Sequence, residues 1–403
     1  MEHQSEQPQG ATDSAATALP VLFETLEADN GKLIGVATLN AERTLNALSL
    51  KMVGLLYPQL LAWSKDDRIA LIILQSAGEK AFCAGGDLQN LYKSMLTHHA
   101  SGEREDIRAN HYAWQFFERE YRLDYLIHTC HKPVLAWGHG ITMGGGIGLL
   151  AGASHRVVTE TSRLAMPEIT IGLFPDVGGS WFLHRMPGKL GLFMALTGVS
   201  VNAPDAKFAG LADHMIAQQD KAALMDALLR QPWAADARRN NTLLGNVLRI
   251  FEHRNESPLM HQAGPLQRNL DRIDQLCSGQ SLAQIVDNIV NVVSRDPWLT
   301  KAAATLKAGS PSSAALAHAL QRRMPGRTLA DVFRIEFIAA LHCAARPDFA
   351  EGVRALLIDK DHQPSWQPAT LAEVTPEWIE GFFADPWSEG SHPLADLKER
   401  GRH

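Results

Sequence analysis

The sequence predicts an α/β fold that gives way to a mainly helical second half. Three observations carry that expectation. An apolar strand, a glycine-bearing loop and an amphipathic helix follow one another twice, at 69–95 and at 133–152. A further strand-like segment, 156–159, comes after the second repeat. Beyond about Lys189 the apolar residues recur mostly at helical spacing. Strands alternating with helices imply α/β architecture, and such folds commonly bind ligands at the carboxyl ends of their strands.

Taken in order, residues 1–20 are polar and rich in small side chains, the composition of a disordered tail. Residues 1–19 show neither a secretory nor an Arg-rich transit pattern, and a cytoplasmic location is expected. Segments 21–26 and 33–39 read as strands joined through Asn30-Gly31, a strong hairpin signal. A helix is expected over 50–63 and a short buried strand over 69–74. Gly85–Gly86 follow, with Asp87 placed to cap a helix running towards Met95. The polar stretch 97–110 reads as a mobile excursion before an amphipathic helix at 111–128. Lys132-Pro133 ends that helix and opens strand 133–137. Gly144–Gly146 then separate this strand from a helix-like segment at 147–153.

The first unit is assigned to 21–200, a mainly helical region to 201–385 and a flexible tail to 386–403. Segment 190–197 and, within the helical region, 220–245, 266–292 and 329–345 have helical patterning, and 201–216 suggests a helix followed by a short strand. Segment 253–270 reads as an irregular insertion. Ser310 or Ser312, with Pro311 between them, can start a helix.

With 403 residues, 45% of them hydrophobic and 20% charged, the chain has ample material for a core. A formal charge of −6 gives no basic excess, which weighs against a nucleic-acid partner. No apolar run is long enough to predict a membrane-spanning helix. Cys83, Cys130, Cys277 and Cys343 are widely spaced and read as reduced thiols.

The chemistry is concentrated between Trp137 and Gly179. Glycines at a strand-to-helix junction permit a sharp turn, and the first N–H groups of the following helix can face an anion or a developing oxyanion. The same glycines could serve only a tight turn. Glu168 is the single charge in LAMPEITIGLF, and Asp176 follows among Pro175 and Gly178–Gly179. A carboxylate in such surroundings is expensive to bury without a partner, so each is either a site acid or a loop-capping or ion-paired acid. Glu118 and Glu120 fall on different sides of their helix, so at most one readily faces a common site.

Other signals are weaker. Gly146, Gly148 and Ala151 match G-x-G-x-x-A, with Glu168 twenty residues beyond Gly148. Their separation from the preceding strand argues against a dinucleotide site. The seventeen histidines lack a recognised metal-ligand spacing, and no G-x-S-x-G elbow occurs. No metal and no separate cofactor are therefore expected.

KAFCAGGDL (80–88), HGITMGGGIGL (139–149) and MPEITIGLFPDVGG (166–179) resemble the crotonase superfamily, also called the enoyl-CoA hydratase/isomerase family. FFEREY (116–121), GLFPDVGG and the stretch 349–368 are similar to its 3-hydroxyisobutyryl-CoA hydrolase branch. The resemblance spans roughly 21–385. It implies a spiral of ββα units over 21–200, followed by the helical region, and a site for a coenzyme A thioester. Coenzyme A is then part of substrate and product. The backbone donors for the thioester carbonyl would be Gly86 and Gly145. Hydratases of the superfamily carry a glutamate at the position of Gly148 and another at that of Glu168, whereas the hydrolase branch carries aspartate at that of Asp176.

The resemblance therefore implies hydrolysis of a short hydroxyacyl-CoA, such as 3-hydroxyisobutyryl-CoA in valine breakdown. Glu168 would stand nearest the reaction, with Asp176 and Glu120 orienting the substrate. Arg43, and less strongly Lys360, would meet the coenzyme A phosphates. Homo-oligomers are expected, with the helical region able to alter their packing. The competing readings are hydration or isomerisation of an enoyl-CoA, and a non-catalytic acyl-CoA binding protein.

Overall fold

The computed structural model describes residues 19–254, 262–388 and 390–398. Most of the tail read at 1–20, the centre of the insertion read at 253–270 and the last five residues lie outside that description.

A six-stranded sheet forms the backbone of the fold, one antiparallel pair extended by four parallel strands. Strands β1 (Val21–Glu27) and β2 (Leu33–Leu39) make the expected antiparallel hairpin. Strands β3 (Ile69–Ser76), β5 (Val134–Gly138), β7 (His155–Val158) and β9 (His214–Met215) extend it in parallel. Helix α1 (Leu50–Lys65), started by Ser49 accepting from Met52 N, connects β2 to β3.

The continuous apolar run in β3 follows from burial on both faces. Ile72 and Leu74 join the core against α1, while Leu71 and Ile73 join Ile34, Val36, Leu135 and Trp137 on the other side. Leu224 and Leu228 from the helix Lys221–Leu229, with Leu244, Leu248 and Phe251 from Ala237–His253, cover that second face.

Three further strands, too short for sequence patterning to reveal, form a second parallel sheet: β4 (Ala81–Cys83), β6 (Ile141–Met143) and β8 (Arg163–Ala165). Each follows a strand of the large sheet, β4 after β3, β6 after β5 and β8 after β7. Helices α2 (Leu88–His99), α3 (His111–Thr129) and α4 (Gly145–Ala151) complete the first two turns, which are therefore ββα units. The direct passage from strand 133–137 to the glycines is corrected accordingly: β6 intervenes, and α4 begins within the glycine run.

Helices from the second half pack back on this spiral. The helix Pro311–Arg323 starts at Ser310, whose Oγ accepts from Ser313 N, with Pro311 at its first position. The helix Leu329–Ala345 lies against α3 through Phe333 and Phe337. The described part of the segment read as a flexible tail also packs. Leu394 is fully buried, Arg122 on α3 pairs with Asp396, and Arg334 donates to the carbonyls of Leu394 and Leu397. Trp387, set against Phe337, and the buried Leu394 and Leu397 anchor this return in a segment whose other residues are mostly polar.

Candidate active site

The three strands of the small sheet converge on one cavity at their carboxyl ends. Gly85–Gly86 follow β4, Gly144–Gly145 follow β6, and Glu168 follows β8 after Met166 and Pro167. The cavity, of about 70 Å³, is lined among others by Gly86, Phe117, Glu120, Gly145, Glu168 and Asp176. Phe349, from the helix Pro347–Val353, brings the second half of the chain into its wall.

Local geometry at the glycines is set by the backbone. Gly85 has φ +106, and its carbonyl accepts from Leu48 N at 2.7 Å, which holds the first loop against the turn after β2. Gly144 combines φ 49 with ψ −122, a conformation open to glycine and strained for other residues. Gly145 is the first residue of α4, so its N–H has no acceptor in its own helix. Among the described residues neither Gly86 N–H nor Gly145 N–H donates to a protein acceptor. Two neighbouring, unspent donors on a cavity wall are suited to an oxyanion.

Acids surround these donors. Glu120, Glu168 and Asp176 are 2%, 4% and 4% exposed. Glu168 opens the 3-10 turn Glu168–Ile171, and its carboxylate lies over Gly144; its Oε2 has no hydrogen-bond partner among the described residues. Burial, and then the charge of Asp176, push the Glu168 carboxyl well above the usual range. Glu120 is pushed up in the same way by burial and by Asp176, Asp124 and Glu168. Asp176 is raised by burial to about 7, held back by the hydrogen bond that Tyr121 Oη donates to its Oδ2 at 2.8 Å.

The structure thus brings together Gly86, Glu120, Gly145, Glu168 and Asp176. Glu118, one of the pair on α3, turns away and pairs with Arg122. Arg43 is exposed on the 3-10 turn Glu42–Thr44, outside the cavity lining, although Leu45 O and Leu48 N tie the end of that turn to the first glycine loop. Lys360 is also exposed and outside the lining. Burial pushes the Cys83 thiol up to about 12, which leaves it inert as a nucleophile.

Three buried polar side chains behind the cavity escape sequence reasoning. Tyr121 holds Asp176. Asp124 is fully buried, neither of its carboxyl oxygens has a hydrogen-bond partner among the described residues, and burial raises its pKa well above the usual range. Glu336 accepts from Gly178 N and Ser180 N, two residues of the Asp176 loop. The spacing of Glu120 and Asp124, one helical turn apart, could have drawn attention to the second acid. Glu336 is the single acid in FRIEFIAAL, a weaker form of the signal that singles out Glu168, because Arg334 stands beside it.

Gly148 has no room for a side chain. A Cβ there would stand 2.7 Å from Val177 Cβ and 3.0 Å from Asp124 Oδ2.

Comparison with known proteins agrees with this geometry. The family model described as enoyl-CoA hydratase/isomerase matches residues 34–383. The chain is 38% identical over 374 residues to the 3-hydroxyisobutyryl-CoA hydrolase, mitochondrial, of Gallus gallus, covering 92% of this chain and 90% of that one. It is 38% identical to the Homo sapiens protein of the same name, covering 87% and 86%. Among solved structures, a carnitinyl-CoA dehydratase from Mycobacterium thermoresistibile is similar with a TM-score of 0.76 and 33% identity, over 90% of this chain and 96% of that one. An enoyl-CoA hydratase from Rhodobacter sphaeroides 2.4.1 is similar with a TM-score of 0.75 and 32% identity, over 90% and 97%.

These relatives also overturn the expectation of a cytoplasmic location, because the hydrolases are named as mitochondrial. That expectation rested on the composition of residues 1–19 and on reduced cysteines, neither of which separates one reducing compartment from another.

Proposed function

The chain belongs to the enoyl-CoA hydratase/isomerase family, and from that premise we propose that it hydrolyses a short hydroxyacyl-CoA thioester, 3-hydroxyisobutyryl-CoA being the preferred substrate. Water and the thioester give 3-hydroxyisobutyrate and free coenzyme A. The observation that carries the proposal is the pairing of unspent N–H groups on Gly86 and Gly145 with the buried carboxyl of Glu168 in one cavity. The names of the similar hydrolases supply the acyl group.

In the proposed reaction, charge developing on the thioester oxygen is taken up by the two backbone donors. One such donor is worth about 3–4 kcal/mol in a reference enzyme. Glu168 acts at the carbonyl carbon, as a base towards water or as the nucleophile itself. A raised pKa makes its ionised form the stronger base. The new C–O bond forms first, the oxyanion then collapses with loss of the C–S bond, and the thiolate takes a proton that comes from the attacking water. Where Glu168 is the nucleophile, that water cleaves the resulting anhydride and restores the carboxylate. Asp176 and Glu120 orient the substrate's 3-hydroxyl, where a missing partner would be costly.

Hydration of an enoyl-CoA is the competing reading, favoured by the names of the similar solved structures. Gly148 speaks against it, since the second hydratase glutamate has neither a side chain nor space here. Free-thiol release from 3-hydroxyisobutyryl-CoA, measured beside loss of the crotonyl-CoA double-bond absorbance, tests the choice. Thiol release without hydration supports the proposal; hydration without thiol release overturns it.

A further inference from the structure

The turn that carries Asp176 is under local strain. Val177 has φ 51 and Gly178 has φ 82, so two successive residues are left-handed. For a β-branched residue this conformation is a genuine outlier, and it persists only where the surroundings enforce it. Tyr121 grips the Asp176 carboxylate from α3. A second hold comes from a residue 160 positions away in the sequence.

Glu336 lies in the helix Leu329–Ala345, fully buried, with Phe333 and Phe337 beside it. A carboxyl is costly to bury unless hydrogen bonds satisfy it. Here its two oxygens divide two backbone donors: Oε2 accepts from Gly178 N at 2.8 Å and Oε1 from Ser180 N at 2.9 Å. Those donors bracket Gly179, whose own N–H bonds Asp176 O at 2.6 Å. The carboxyl therefore spans the end of the strained turn. Asp176 from the turn, and Tyr121 and Asp124 from α3, are the titratable groups with which it interacts.

We propose that Glu336 is a positioning residue, contributed by the helical second half, which locks the 176–180 turn so that Asp176 faces the cavity. The inference rests on the substrate-orienting role proposed for Asp176. Glu336 touches no reacting atom; it acts through the backbone that presents Asp176.

The test combines amide hydrogen exchange at Gly178 and Ser180 with kinetics on 3-hydroxyisobutyryl-CoA. The variants are Glu336→Leu and Glu336→Gln, each alone and with Asp176→Asn. Leaving two buried donors unpaired in Glu336→Leu is expected to lower kcat roughly ten- to a hundredfold with KM little changed. Glu336→Gln, which keeps one acceptor, falls between, and exchange at the two amides accelerates in both. In the Asp176→Asn background the further loss disappears, because the two residues act as a unit.

Equal losses with and without Asp176, or exchange at wild-type rates, would overturn the proposal. If Glu336→Leu does not fold, the Glu336→Gln exchange and cycle decide alone. Should Asp176→Asn leave rate and hydroxyacyl preference intact, the role of Asp176 fails, while exchange still reports on the lock separately.

Discussion

Tyr121 Oη donates a 2.8 Å hydrogen bond to Asp176 Oδ2, joining a residue on α3 to the loop after β8 inside a buried acid cluster. The bond favours the ionised carboxylate, whereas burial opposes it, and the balance leaves Asp176 at about 7. Tyr121→Phe removes the favourable part, so the Asp176 pKa rises. Any limb of the pH–rate profile that requires ionised Asp176 moves to higher pH, by roughly one pH unit for a bond to a charged group. A profile of kcat/KM for the variant beside the wild type checks this.

The same carboxyl gives stability a definite pH dependence. Its pKa is raised in the folded chain, from 3.8 to about 7, so the folded state holds the proton more tightly than the unfolded one. This contribution is fully present below about pH 4 and is lost as pH rises through about 7, an upper limit of about 4 kcal/mol. Asp176→Asn carries no such titration. Its melting temperature relative to the wild type is expected to climb between pH 4 and pH 8, as thermal unfolding in matched buffers would read.

Gly145 and Glu120 are matched by shape. A Cβ on Gly145 would collide with Glu120 Oε1, the far end of a flexible side chain. Gly145→Ala should therefore fold normally, with the Glu120 carboxyl displaced and the cavity narrowed beside the N–H donor. The N–H itself is kept, and turnover is expected to fall up to about a hundredfold because the substrate carbonyl is misplaced against it. Steady-state kinetics with a melting curve separate this outcome from unfolding.

Much of the scaffold was legible because local patterns and tertiary burial agree. Helices Leu190–Thr197 and Leu329–Ala345 occupy the spans their patterning indicates, and the Asn30-Gly31 hairpin stands where its turn chemistry puts it. The small sheet was not legible, since three-residue strands show no period. Glu168 and Asp176 announced themselves as charges in an apolar loop. Asp124 did not, because an acid in an amphipathic helix reads as solvated until another layer covers it. That layer includes Phe333, which belongs to the second half of the chain.

The C-terminal segment offers a check on what holds α3. Leu394 is 0% exposed, whereas the Asp396 side chain is 66% exposed in its pair with Arg122. Leu394→Ala should cost about 2–4 kcal/mol through the cavity it leaves. Asp396→Ala should cost less than about 1 kcal/mol, as exposed ion pairs do. Denaturant unfolding of both variants distinguishes apolar anchoring from charge pairing.

Thioester hydrolysis, as proposed, depends on Glu168 at the reacting carbon. The most direct measurement follows free thiol from 3-hydroxyisobutyryl-CoA with wild type and with Glu168→Gln, a substitution that keeps the size of the side chain and removes its basicity. Rapid release by the wild type is expected, with a loss of at least about a thousandfold in the variant and substrate still bound. Release by Glu168→Gln at the wild-type rate would contradict this dependence.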